Sequence, residues 1–208
     1  MDQNQNGWGS PPPDVSEGGE YLQAGVQDVF LYGITYDPNH QYGAQVTVAV
    51  QNPANEENVI NTWYKCGYNN PQKSDEENAK FDKTYRERLQ INLSHIIGAF
   101  LPGGSEEFKT KMYNGTVYTQ DTFINAAIAL LPQNFKQIPA RAILAFGKEK
   151  GGKKYLSLPP SLKVTGAFFS TSPDFEFKLN EKRLDLDWRT GASSSPSSGE
   201  VNVQDESW

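Results

Sequence analysis

Cysteine and histidine are nearly absent: the 208-residue chain has one cysteine, Cys66, and two histidines, His40 and His95. A lone cysteine excludes an internal disulfide and a cysteine-rich zinc site, and it favours a reducing compartment. The two histidines stand far apart, and neither has a ligand-spaced partner. His95 lies beside Ile96 in a helical pattern and reads as a surface or hydrogen-bonded histidine. The sequence has no Gly-x-Ser-x-Gly turn, no phosphate-loop Gly-Lys-Ser/Thr and no His-Glu-x-x-His. An enzyme therefore has little to stand on here, and no cofactor is expected. No run of about 18 apolar residues occurs, so no membrane span is expected. The N-terminus lacks a basic start and an apolar stretch, which argues against a signal peptide.

Basic excess is missing too: 19 Lys and Arg stand against 25 Asp and Glu, a net charge of −6. Taken whole, that balance disfavours a nucleic-acid partner. Its distribution does not. Seven of the acids fall in residues 1–24 and 191–208, where there is no Lys or Arg. The remaining 18 acids meet all 19 bases, so the body of the chain is near neutral and has room for a basic face.

The ends read as tails around one domain of residues 21–190. Residues 1–20 are rich in Gln, Asn, Gly and Pro, an arm stiffened at Pro11-Pro12-Pro13. Residues 191–208 begin with Gly191-Ala-Ser-Ser-Ser-Pro-Ser-Ser-Gly199, which has too little apolar surface to offset the entropy of ordering and reads as a tether. Its tip, Asp205-Glu206-Ser207-Trp208, joins carboxylates to a terminal indole and reads as a docking peptide.

Between the tails the hydrophobic period changes twice. Val26–Tyr36, Ala44–Val50 and Val59–Cys66 are β-rich runs separated by turn residues at Asp37-Pro38-Asn39 and Asn52-Pro53, the order of a three-stranded meander. From Asp75 the chain is charged and helix-prone. Leu89, Leu93, Ile96, Ile97 and Phe100 form one apolar helical face that Pro102-Gly103-Gly104 ends. Ser105 with Glu106 and Glu107 predicts a new helix start. A third helix is expected over 121–131, with Phe123, Ala127, Leu130 and Leu131 inward. Strand character returns at Ala140–Gly147 and Tyr155–Leu158, on either side of Gly151-Gly152, a hairpin signal. Phe168-Phe169 and Phe175-Glu-Phe177 read as a strand or a packed extension. The fold class expected is mainly β with inserted helices, α+β. Three strands, a helical segment and a hairpin are the order of an OB-like five-stranded antiparallel barrel with its helix between strands three and four. An antiparallel sheet with helices on one face fits the same order.

Two constellations carry chemistry. Lys148, Lys150, Lys153, Lys154 and Lys163 surround the Gly-Gly turn, and Tyr155 follows directly. Amines there would neutralise phosphates, and the ring would give a base a stacking partner. The second is aromatic: Tyr32, Tyr36, Tyr42, Trp63, Tyr64 and Tyr68 crowd the first three strands. Most of these rings belong to a core. In the first strand, Phe30, Tyr32 and Ile34 share a parity. In the third, Trp63 and Lys65 share a parity with Asn61 and look wetter than Ile60, Tyr64 and Cys66. Trp63 is therefore the first stacking candidate, with Lys65 and Tyr36 beside it.

Gly18-Gly-Glu-Tyr21 leads into the first strand, and Gly152-Lys-Lys-Tyr155 ends the hairpin ahead of Leu158-Pro159. These short motifs resemble those of a phage single-stranded DNA-binding family. The acidic tip resembles those of bacterial and T7-like phage single-stranded DNA-binding proteins, which also end on an aromatic residue. The resemblance implies an OB fold, single-stranded DNA as ligand, replication or recombination as setting, the infected bacterial cytoplasm as location, and phage or host replication proteins as partners of Asp205, Glu206 and Trp208. A virion structural or adaptor protein with extended arms is the rival expectation.

The tail generates the first prediction. The 17 residues of Gly191–Ser207 reach roughly 20–25 Å as a flexible coil, enough to return the acidic tip to a basic groove. Ending the chain after Arg189 should tighten polythymidine binding at low salt, with the gain fading as salt rises. Titrations of both forms across a salt series measure this, and equal low-salt affinities would separate the tip from the groove.

Overall fold

A computed structural model describes residues 21–41, 43–147, 154–160, 166–178 and Leu184. The arm over 1–20, the tail over 191–208, the lysine-rich residues 148–153, Tyr42 and Lys163 lie outside the described residues.

The β-branched runs form strands where the alternation demands them. β1 (Gly25–Asp37), β2 (Gln45–Asn52) and β3 (Asn55–Lys65) make the expected antiparallel meander. In β2, Val46, Val48 and Val50 are fully buried, while Thr47 and Gln51 face the other way. β3 begins four residues earlier than its apolar run, because Gln51 and Asn52 already have ladder partners in Val59 and Asn55. β4 (Pro139–Phe146) and the short β5 (Leu156–Ser157) pair antiparallel, as the Gly-Gly signal implied. Gly147 N–H extends that pairing to the Tyr155 carbonyl at 3.0 Å. The sheet order is β3-β2-β1-β4-β5, and β6 (Phe169–Ser170) also pairs with β4. The chain is thus α+β, with one antiparallel sheet and helices inserted between β3 and β4.

β1 is longer than any neighbour and is shared between two of them. Its first half, Gly25–Phe30, pairs with β4, and its second half, Phe30–Asp37, pairs with β2. A bulge between Leu31 and Gly33 marks the change. It also corrects the simple parity reading of this strand. Phe30, Tyr32 and Ile34 do not share a face: Val29, Leu31 and Ile34 are buried, and Tyr32 is turned outward. One extra residue on a bulged strand reverses the alternation beyond it.

The helices cover the inner face. α1 (Asp75–Gly98) starts at a capping box, with Ser74 and Glu77 exchanging hydrogen bonds and three acids in its first turn. Only its second half is core: Leu89, Leu93, Ile96 and Ile97 are buried, each worth roughly 1.5–3 kcal/mol. Its exposed first half is held by Tyr68, whose ring lies between Phe81 and Tyr85. α2 (Gly104–Met112) follows, but Ser105 is not its cap. Gly103 occupies that position, and Ser105 Oγ instead donates to the Ser94 carbonyl at 3.2 Å. The two helices meet so closely that a Cβ on Gly98 would lie 2.8 Å from the Ser105 backbone. α3 (Gln120–Ile128) is capped by reciprocal bonds between Thr119 and Thr122. It stops short of Leu131 because Leu130 and Leu131 N–H groups bond three residues back, to Ala127 and Ile128. A 3-10 turn, Phe135–Gln137, leads into β4.

The two ends of the strand order approach each other. Leu158 N–H donates to Thr62 Oγ1 at 2.8 Å, and Tyr64 Oη–H donates to the Pro159 carbonyl at 3.1 Å. No backbone ladder joins β3 to β5 among the described residues, so the sheet is open there.

His95 ties the C-terminal extension to α1. Its Nε2 accepts from the N–H groups of Phe168 (3.1 Å) and Phe169 (3.2 Å), and the Phe168 ring meets it edge-on. A nitrogen that accepts twice must be unprotonated, and burial holds the imidazole down to about 4. An unfolded histidine titrates near 6.5. The stabilisation is therefore complete above about pH 6.5 and is lost as pH falls towards about 4. Thermal melts should show a declining midpoint across that window. His95→Gln keeps an acceptor but cannot titrate, so its melts should be flatter there. A histidine-like decline surviving in the variant would assign the acid sensitivity elsewhere.

Candidate nucleic-acid interface

Strand pairing fixes which side chains share the outer face of the sheet. Residues directly opposite one another point the same way. Trp63 of β3 stands beside Thr47 of β2, which stands beside Thr35 of β1. The neighbouring rows are Lys65–Gln45–Asp37 and Asn61–Ala49–Gly33. Tyr64 and Cys66 fall on the opposite, buried face, as their parity required.

Trp63 is 60% exposed on this face. Near the end of β3, its indole gives nothing to the core and presents a flat aromatic surface to solvent. Its row partners are both threonines, short side chains that leave the ring standing clear. Lys65, two residues on, is exposed and sits 5.8 Å from the Tyr85 ring centroid. That contact holds the ammonium at the boundary between the sheet and α1.

Tyr155 is 56% exposed just before β5, three residues before fully buried Leu158. Strand alternation therefore turns it away from the core, towards the side that carries Trp63. Leu158 bonds to Thr62, the residue next to Trp63, so the Tyr155 strand borders the Trp63 strand. Lys154 is half-buried beside Tyr155. Lys148, Lys150 and Lys153 lie outside the described residues, as do Asp205, Glu206 and Trp208.

Tyr36 does not belong to this surface. It pairs with Val46, on the inner face, and its hydroxyl donates to Asp121 Oδ1 and accepts from Gln120 Nε2 at 3.3 Å. Burial and the Asp121 carboxylate both push its phenol up. Tyr36 anchors α3 to β1, and its aromatic identity alone misled the sequence reading.

Tyr32 and Lys136 were missed as a pair. Tyr32 is 46% exposed at the bulge, with Lys136 Nζ 4.9 Å from its ring centroid. Gly33, placed directly after a tyrosine inside a strand, is the one local sign of that bulge. Nothing near Lys136 in sequence points to β1.

A second concavity lies on the helical side. It encloses about 260 Å3 between α1, α3 and the loop that joins α2 to α3, and Cys66, Arg86, Tyr113, Tyr118 and Phe123 line it. Arg86 is already paired with Asp82 at 2.7 Å. Burial pushes the Cys66 thiol up to about 12, so it is protonated at neutral pH and a poor nucleophile. Among the described residues no cluster of His, Cys, Asp and Glu is placed to hold a metal ion, and no helix is long and apolar enough to cross a membrane.

No protein-family model and no curated protein sequence matches this chain.

Proposed function

We propose that this chain is a single-stranded DNA-binding protein, and that the outer face of its sheet carries the strand. The observation that carries the reading is Trp63: an indole near the end of β3, 60% exposed, with Lys65 on its own strand and Tyr155 just ahead of the bordering one. Rings stack on bases whatever their sequence, and ammonium groups meet the phosphates between them. Lys154 and its neighbours in sequence Lys148, Lys150 and Lys153 supply further charge between β4 and β5 in the chain. The protein works without catalysis, by coating and holding the strand.

An OB-like barrel is the architecture that suits this reading. The hydrogen bonds from Leu158 to Thr62 and from Tyr64 to Pro159 draw β5 against β3, which would complete the cycle β1-β2-β3-β5-β4. The helical segment between β3 and β4 agrees with that fold. The sequence resemblance adds a phage replication or recombination setting in a bacterial cytoplasm. It also adds Asp205, Glu206 and Trp208 as the docking tip for replication proteins.

Two measurements test the reading. Trp63→Ala should weaken polythymidine binding by about 1–3 kcal/mol, roughly 5- to 150-fold, with little change in the melting midpoint, because the ring is not core. Strand-induced fluorescence quenching should fall with it. Undiminished affinity in this variant would remove the face from the reading. In wild type, the logarithm of affinity should fall linearly with the logarithm of salt, with a slope of about −3 for about four phosphate contacts. Changing Lys153 and Lys154 together to Ala should reduce the slope by about one unit or more. A slope indifferent to the pair would clear the turn of any part in binding.

A further inference from the structure

We infer that the strand-binding track runs across the sheet from Trp63 to a second stacking station made by Tyr32 and Lys136. The inference rests on the single-strand reading above and extends it to β1 and the 3-10 turn.

Three features of the outer face carry it. First, the bulge between Leu31 and Gly33 turns Tyr32 out of the core and leaves its ring 46% exposed. Bulges re-aim side chains, and this one presents an aromatic on the face that already holds Trp63. Second, Lys136 brings a cation to the ring from a different element, with Nζ 4.9 Å from the centroid. The pair has the composition of the Trp63–Lys65 end of the face: one exposed ring and one exposed ammonium. Third, the ground between the two stations is low. The row that joins them is Asn61–Ala49–Gly33, and a Cβ built on Gly33 meets no atom within 4 Å. A shallow trough with an aromatic at each end admits a flat base and excludes little else.

The spacing agrees with a short stretch of strand. Tyr32 and Trp63 lie two strands apart and between two and three residues apart along the sheet. At about 4.8 Å per strand and about 3.4 Å per residue, their backbones are separated by roughly 12 Å. That equals about three to four stacked nucleotides at 3.4 Å each. The trough thus links the rings through one contiguous oligonucleotide. Asp37 on the same face does not oppose the path, since it lies beyond the Trp63 row and accepts the Asn39 N–H at 3.0 Å.

The test is the length dependence of binding by the full chain. The probes are fluorescein-labelled polythymidines of about 3 and about 12 nucleotides, a range that brackets the reach of one barrel. Wild type should bind the longer probe more tightly. Tyr32→Ala and Lys136→Gln should each lower affinity for the long probe, about fivefold or more for the ring, and leave the short probe unchanged. Tyr32→Phe keeps the stacking surface and should behave as wild type. Gly33→Leu fills open space above the sheet, so it should leave the melting midpoint near wild type while removing the advantage of the long probe. Long-probe affinity unchanged in both Tyr32→Ala and Gly33→Leu would overturn the second station and leave the Trp63 reading intact. Altered self-association with unchanged oligonucleotide binding would also overturn it, by making this face a protein contact. Wild type that binds neither probe would overturn the single-strand reading and this inference with it.

Discussion

The divided pairing of β1 is the constraint on which the other elements depend. β4 pairs with the first half of β1 and β2 with the second, so the two partners meet only at Phe30. The bulge at Leu31/Gly33 absorbs the change of direction and bends the sheet around the valines of β2. Everything on the inner side follows from that curvature. Leu31 and Ile34 point inward on either side of the bulge, and the buried half of α1 supplies the facing apolar surface. The outer side follows from it as well, since the same extra residue exposes Tyr32 and leaves Gly33 as floor.

Polar bonds then fasten the added pieces, and each joins distant parts of the chain. Tyr36 holds α3 through Asp121 and Gln120, His95 holds the extension through two backbone N–H groups, and Thr62 and Tyr64 hold the segment after β5. Apart from the exposed Asp121 carboxylate, these groups are buried or half-buried, where an unmade hydrogen bond costs about 1–3 kcal/mol. They discriminate among arrangements that apolar burial alone would leave nearly equal.

Elements with a strong local signal were legible in the sequence. The meander, the helical face of Leu89, Leu93, Ile96 and Ile97, and the opposed faces of Trp63 and Tyr64 all follow from period alone. The starts of α3 and α2 were less so, because hydrogen bonds between Thr119 and Thr122 and between Ser105 and Ser94 decide them. Of the candidate residues, Trp63, Lys65 and Tyr155 are exposed on the outer side, as their positions in the sequence led one to expect. Tyr36 was misread, since its hydroxyl finds partners 84 and 85 positions away in sequence. Lys136 was invisible for the same reason: its neighbour on the surface is Tyr32, which only the fold brings close.

Between β3 and β5 the described residues make two side-chain hydrogen bonds, one of them to a proline carbonyl, and no ladder, so the sheet stays open there. Pro159 and Pro160 have no N–H to offer, so backbone pairing has no means of running further along that line. Such a junction is the natural line of breathing. Amide protons of β2, bonded on both sides, are held by the sheet as a whole, whereas those on the outer edge of β3 depend on a local opening of far smaller free energy. The exposed indole therefore sits on a strand whose outer edge has no ladder partner among the described residues.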